Sequence, residues 1–415
     1  MTTEMPDPLV EHSHYKGKVE ILPKVPIRGL QDFSIWYTPG VALPSMEIFR
    51  DKEKAYVYTN KGNSVAILSN GTRVLGLGRI GPDAGLPVME GKALLFKFLG
   101  DVDAFPLCIK ADDAKTFVGI AKALEPSFGG INLEDIESPS CFEINDELIK
   151  SMEIPVFHDD QHGTAVVVLA GILNSMKVVG KKISESRITV MGAGAAGYAI
   201  SKLLVKAGAD AKNFLVSDSV GILHLGREDI QRNRWKRELA SLTNTKGLSG
   251  SLFDAIEGSD VLIAASKPGP NTVTPEMIKS MSADSIVFAC SNPTPEIMPE
   301  AAKRAGARIV ATGRSDYPNQ VNNSLGFPAI FRGMLDVGAK SINDAMKISA
   351  AKAIASVAEE EKGIGEDHIL PTMNDIELPP REAAAVGRAA NETGIARIRV
   401  NPDDIYETTK TRLQR

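Results

Sequence analysis

Hydrophobic periodicity is clearest in the second half of the chain. An apolar helix is expected from Thr164 to about Val179. It leads into RITVMGAGAAGYAISKLLVKAGADAKNFLVSD, which reads as strand, Gly-rich turn, helix, strand, a single βαβ unit. Further strands are expected in DVLIAAS, SIVFACS and ARIVATG. Each ends in small or polar residues, as at the carboxyl edge of a parallel sheet. Upstream, to about residue 160, short apolar runs (KAYVYT, SVAILS, RVLGLG, PLCI) alternate with loops rich in Gly, Pro and Asp, and helical patterns centre on Lys92–Leu99 and Asp112–Leu124. After about Met334 the pattern is helical and Ala-rich (ISAAKAIASVAEEE), then punctuated by proline at ILPTMND and ELPPREAAAVGRAAN. The expected architecture is α/β. A smaller N-terminal α/β domain (1–162) precedes a Rossmann-type, doubly wound parallel sheet domain (163–340) and a helical C-terminal segment (341–415), whose packing partner the pattern does not assign.

Composition narrows the function classes. A length of 415 residues is enough for two domains with a buried core. The net charge of -5 gives no reason to expect nucleic acid or an anionic membrane as partner. Cys108, Cys141 and Cys290 have no CxxC spacing, which points to buried thiols in a reducing compartment. The N-terminal stretch MTTEMPDPLVEHSHYKGK carries early acids and lacks the pattern of a signal or transit peptide. The most apolar stretch, TAVVVLAGILNSM, is too short to cross a bilayer and reads as a buried helix. A soluble cytoplasmic protein is the expectation.

Gly192, Ala193, Gly194, Ala195, Ala196 and Gly197 form GxGxxG after a strand and before a helix, with Asp218 closing the next strand. Gly192 suits the tight turn, Gly194 the close approach of backbone to a pyrophosphate, and Gly197 the packing of helix on strand. Asp218 would accept hydrogen bonds from the adenosine ribose. A tight βα turn that binds nothing is the plain alternative. No cation immediately follows Asp218, which favours NAD, with NADP open. Arg227 and the run RNRWKR (232–237) come later and could fold back, although the run reads first as a solvated helix face.

VFHDDQHGTA sets Asp159 and Asp160 between two histidines, and INLEDI supplies Glu134 and Asp135. Four carboxylates are hard donors suited to Mg²⁺ or Mn²⁺, whereas zinc prefers His and Cys. His158 and His162 stand four apart, but the metalloprotease version of that spacing needs Glu after the first His, and Asp is there. The competing reading takes these acids as helix caps.

IWYTPGVA, GTRVLGLGRIG, VMEGKALLFK, INLEDI, FHDDQHGTA, SNPTPEI and TGRSDYPNQVNN follow one another in the order found in malic enzymes. The resemblance is to the short prokaryotic type and covers residues 30 to 340. It implies divalent-metal-dependent oxidative decarboxylation of L-malate to pyruvate and CO₂ with reduction of NAD or NADP. By the same resemblance, Glu134, Asp135 and Asp160 are metal ligands and Asp159 is an acid beside the metal. Lys92 is the general base and Tyr37 the general acid. Arg73 binds a malate carboxylate, Asn292 and Asn323 bind substrate with Asn322 adjacent, and Thr164 and Asn292 contribute to the cofactor site. His158 and His162, absent from the large eukaryotic forms, are placed as structural. A homodimer is implied, with Tyr37 and Lys92 reaching one site from different chains.

The chemistry suits these residues. Hydride leaves malate C2 only as the C2 hydroxyl loses its proton, and a lysine serves as base if a neighbouring cation lowers its pKa. Plainer readings stand beside each assignment: Tyr37 packed under a Pro-Gly turn, a solvated Lys92 competing with Lys97, a surface Arg73, and Asn292 as an Asn-Pro turn former. Rival functions are a malolactic or oxaloacetate-decarboxylating activity, a catalytically silent nucleotide sensor, and a hydroxy-acid dehydrogenase without decarboxylation.

Overall fold

The computed structural model describes residues 6–414; the first five residues, part of the stretch read above as no leader peptide, lie outside it. Two parallel sheets organise the chain. In the first, β1 (Ser64–Ser69), β2 (Asp103–Cys108), β3 (Gly130–Leu133) and β4 (Val156–His158) run in the order β2-β1-β3-β4. Every residue of β1 is buried, which explains why SVAILS is an unbroken apolar run and not an alternating one. The second sheet holds β5 (Ile188–Met191), β6 (Phe214–Asp218), β7 (Gly221–Ile222), β8 (Val261–Ala264), β9 (Ile286–Ala289) and β10 (Ile309–Thr312), ordered β10-β9-β8-β5-β6-β7. Only β7 is antiparallel. The order reverses between β5 and β8, so the crevice for a dinucleotide opens at their carboxyl ends.

Helices form where caps and apolar faces coincide. The Ala114–Leu124 helix starts at Asp113, whose carboxylate accepts from Thr116 N at 2.9 Å. The pattern seen around Lys92 belongs to a longer helix, Gly81–Gly100, which carries Pro87 inside it. RVLGLG is no strand. Val74 and Gly78 pair across a tight turn that leaves Arg73 exposed at its foot.

The Thr164–Val179 helix ends at Gly180, in the left-handed region at φ 67°. Joined to the π-turn Asp159–Gly163 it makes a 21-residue span, long and apolar enough to cross a membrane by length and composition. That corrects the expectation that this stretch is too short. Its apolar character has another use, because eleven of the helix's sixteen residues are buried in the core. Asn174 on this helix donates to Ala355 O at 2.9 Å and Ile369 O at 3.0 Å, tying it to the C-terminal region. There the Asp344–Lys362 helix packs on Thr164–Val179, Leu378–Glu392 on Phe327–Asp336, and Pro402–Leu413 reaches Gly81–Gly100. The C-terminal segment thus packs against both halves of the chain, and one apolar core runs through both sheets.

The N-terminal region behaves differently. Helices Pro8–Tyr15, Phe33–Trp36, Ala42–Arg50 and Ala55–Tyr58 bury none of their residues. Ile21, Leu30, Leu43 and Phe49 are all at least three-quarters exposed.

Candidate active site

The carboxyl ends of β3 and β4 bring the acidic residues together. β3 hands the chain to Glu134 and Asp135, and β4 hands it to Asp159 and Asp160 in the π-turn. Asp135 N donates to Asp160 Oδ2 at 3.0 Å, locking the two loops. Asp135 adopts φ 54°, a conformation L-residues other than Asn and Asp seldom take. Carboxylate oxygens of Glu134, Asp135 and Asp160 lie within 4.8 Å of one another. Burial raises all three pKa values, and repulsion from neighbouring acids adds to it for Glu134 and for Asp135, which is pushed up to about 7. Asp135 Oδ2 is buried without a hydrogen-bond partner. Three crowded hard-oxygen donors with an orphaned oxygen fit Mg²⁺ or Mn²⁺. Glu134 is oriented by Asn132 Nδ2 at 2.9 Å, a contact that sequence reasoning missed although Asn132 lies inside INLEDI.

His158 borders this cluster, with its Nδ1 3.9 Å from Asp160 Oδ2, beyond hydrogen-bond reach. His158 is buried with neither ring nitrogen hydrogen-bonded, and burial pushes its pKa down to about 3. His162 Nδ1 accepts from His158 N at 3.2 Å, which puts its proton on Nε2.

Lys92 projects from the Gly81–Gly100 helix into the acids. Its Nζ lies 2.6 Å from Glu134 Oε1, also bonds Asp159 Oδ2, and stands 4.6 Å above the Phe327 ring. Burial would push its pKa down, but the charges of Asp159 and Glu134 outweigh burial and hold the ammonium above its ordinary value. That differs from the lowered value expected of a base, because here the acids face Lys92 with their charge otherwise uncompensated. Lys97, the rival lysine, instead pairs with Asp101 and Asp103 on the surface.

Asp159 is fully buried, and Asn323 Nδ2 donates to its Oδ2 at 3.1 Å while Thr164 Oγ1 donates to Asn323 Oδ1 at 3.2 Å. Gly163 makes room for this arrangement, since a Cβ there would sit 1.9 Å from Asp159 Oδ1. Asn322 spends its side chain accepting from Ser324 N in a turn. Arg73 N donates to Asp135 O, and the Arg73 charge works against the rise that burial gives the Asp160 pKa, so Arg73 borders the cluster. Asn292 is exposed, with its Nδ2 against Gly313. Tyr37 does not join these residues: it is 69 % exposed, and among the described residues no hydrogen bond links its side chain to Lys92 or the acids.

The π-turn packs against the Ala195–Lys206 helix, which the Gly-rich turn opens. Gly192 has φ 114°, and a Cβ on it would meet Ala265 O at 2.2 Å; one on Gly197 would meet Gly192 O at 1.9 Å. A Cβ on Gly194 would meet nothing, which leaves the helix N-terminus open to phosphate. Asp218 is less available than the sequence suggests. Its two oxygens accept from Arg227 Nη1 (2.8 Å) and Nη2 (3.0 Å), Lys236 Nζ (2.6 Å) and Val220 N (2.9 Å). Burial would raise its pKa, but the bonds from Arg227 and Lys236 bring it down to about 2. The basic run is therefore not simply a solvated face: Lys236 folds back, because an acid at a strand end attracts the nearest long cation.

Two family descriptions match the chain, "Malic enzyme, N-terminal domain" over residues 16–149 and "Malic enzyme, NAD binding domain" over residues 161–390. A "Bifunctional malic/malolactic enzyme" of Bacillus subtilis is 50 % identical over 399 residues, 96 % of each chain. An "NAD-dependent malic enzyme" of Geobacillus stearothermophilus is 50 % identical over 384 residues, 92 % of this chain and 79 % of that one. The crystal structure of a malic enzyme from Pyrococcus horikoshii superposes with a TM-score of 0.93 at 49 % identity, covering 98 % of this chain and 96 % of that one. With both halves matched and the carboxylates gathered beside a dinucleotide turn, the chain belongs to the malic enzyme family.

Proposed function

We propose that this chain catalyses the divalent-metal-dependent oxidative decarboxylation of L-malate to pyruvate and CO₂, coupled to reduction of NAD or NADP. The observation that carries this reading is Lys92, held between Glu134 and Asp159 beside a three-carboxylate cluster. Glu134, Asp135 and Asp160 would hold a divalent cation, whose charge would lower the Lys92 pKa, and the Gly192–Gly197 turn would hold the NAD(P) that would take up the hydride from malate C2. Lys92 Nζ takes the proton of the C2 hydroxyl. Arg73 pairs with a malate carboxylate, and the Asn292 and Asn323 amides fix the substrate's orientation. When the C3–C4 bond breaks, C4 leaves as CO₂ and its electron pair passes into an enolate. The Tyr37 hydroxyl then delivers a proton to C3.

Tyr37 does this for a second copy of the chain. Its exposure supports that reading, and so do the apolar residues around it on helices with no buried face. Surfaces of this kind mark association sites. A homodimer whose partners exchange Tyr37 covers the apolar surface and completes both sites. The proposed compartment is the cytoplasm, a reading that the three free cysteines support.

The test is absorbance of the reduced nicotinamide with L-malate and Mn²⁺, run with NAD and NADP in parallel and with chelator, alongside pyruvate assay. Chelator-sensitive reduction matched by pyruvate is the expected result. Folded protein that instead releases lactate without net reduction points to the malolactic reading, which the B. subtilis relative's name supports as the second choice.

A further inference from the structure

Glu296 is fully buried, and no ion pair reaches it among the described residues. Its charge is met by hydrogen bonds alone, and all of them come from two loops. Oε1 accepts from Ser266 N at 2.9 Å, Ser266 Oγ at 3.4 Å and Ser291 Oγ at 2.6 Å. Oε2 accepts from Ser291 N at 3.2 Å. Ser266 follows β8 and Ser291 follows β9, so one carboxylate ties the carboxyl ends of two neighbouring strands.

The two loops face different halves of the site. Ala265 and Ser266 back the Gly-rich turn, where a Cβ on Gly192 would collide with Ala265 O at 2.2 Å. Ser291 leads into Asn292, and a Cβ on Gly76 would meet Pro293 Cδ at 2.7 Å and Asn292 O at 3.3 Å. Gly76 belongs to the turn that carries Arg73. The Ser266 loop thus touches the dinucleotide side, and the Ser291 loop touches the malate side.

We propose that Glu296 is a positioning residue that sets the spacing between the dinucleotide turn and the Asn292 loop, and so couples the cofactor and malate half-sites. The inference rests on the malate-oxidising reading above. A buried carboxylate satisfied only by donors from two loops fixes their geometry, because releasing either loop strands a charge.

Glu296→Gln separates the two sides. The amide oxygen keeps the three donors at the Oε1 position, and the amide nitrogen then faces Ser291 N–H, donor against donor. The expected result is a malate KM about tenfold higher with reduced kcat, a size set by slight misplacement of one substrate contact. Dinucleotide affinity, read from fluorescence of bound reduced nicotinamide without malate, stays within about twofold of wild type. Glu296→Ala releases both loops, and both affinities fall. Ser291→Ala, which removes one hydroxyl, reproduces the malate defect with dinucleotide affinity kept and covers the case in which the Gln variant does not fold. The proposal is overturned if the folded Gln or Ser291→Ala variant keeps the wild-type malate KM, or if in either of these two variants dinucleotide affinity falls in step with malate affinity. Wild-type enzyme that leaves malate unoxidised would count against the catalytic reading instead, while the fluorescence comparison of wild type with Glu296→Ala still reports on the clamp.

Discussion

Lys92 Nζ lies 2.6 Å from Glu134 Oε1, so the proposed base is ion-paired to a proposed metal ligand. The two roles are coupled through this contact, because charge taken up by a cation at Glu134 is charge no longer holding the Lys92 proton. Lys92→Ala is expected to lower kcat for malate oxidation by at least about 10²-fold, the usual yield of a positioned general base. The Michaelis constant for the dinucleotide should hardly move. Steady-state kinetics check this, and a variant with near-normal kcat would remove Lys92 from the reaction.

A second prediction concerns pH and metal. Burial, and then the neighbouring Asp160 charge, push the Asp135 carboxyl up to about 7 in the folded chain, from an ordinary value of 3.8. Between those values the folded state holds a proton that the unfolded state has lost, so metal-free stability falls as pH rises from about 4 to about 7. Cation binding needs the deprotonated acid, so the stabilisation given by Mn²⁺ should grow over the same window. Thermal melts at several pH values, with Mn²⁺ or chelator, measure both trends. Asp135→Asn should abolish most of the Mn²⁺ effect.

The cofactor is predicted to be NAD with NADP also accepted. Asp218 has no free acceptor position until Lys236, the more exposed of its two cations, swings away. Once free, that ammonium is placed for a 2′-phosphate. Lys236→Glu should cut kcat/KM for NADP about tenfold or more and leave NAD within about threefold, an effect the size of one lost charge contact. Equal losses with both cofactors would argue that Lys236 serves only to hold the strand end.

The proposed exchange of Tyr37 between chains makes a prediction that mixing variants can check. Tyr37→Phe and Lys92→Ala chains, each nearly inactive alone, should regain about a quarter of wild-type activity when mixed and allowed to exchange. Half the dimers are then mixed, and each mixed dimer carries one intact site. Failure to regain activity, in a mixture shown by mass to contain mixed dimers, would place Tyr37 in its own chain's site.

Much of this was legible in the sequence, for identifiable reasons. Strands β5, β6, β8, β9 and β10 are buried on both faces, so each is a short apolar run ending at a small-residue turn. Glu134, Asp135, Asp159 and Asp160 were readable as one hard-donor group because each pair ends a strand. Contacts between distant residues were not legible. The spacing left open whether the basic run returns to Asp218, and nothing in it says that Glu296 gathers Ser266 and Ser291, because strand order sets those meetings. The exposed flank around Tyr37 was not legible in the residue pattern, and only the family resemblance pointed to a second chain there, since a segment covered by another chain would carry the same apolar pattern as one covered by its own.

Asp135 combines a carboxylate in the acidic cluster with a backbone at φ 54°. Position 135 is therefore filtered twice, once by charge and once by conformation. Asn keeps the turn and drops the charge, and Gly keeps the turn and drops the side chain, whereas a β-branched residue loses both. A lineage drifting away from catalysis would pass through Asn or Gly here first, so its descendants could lose the chemistry while keeping the loop's shape.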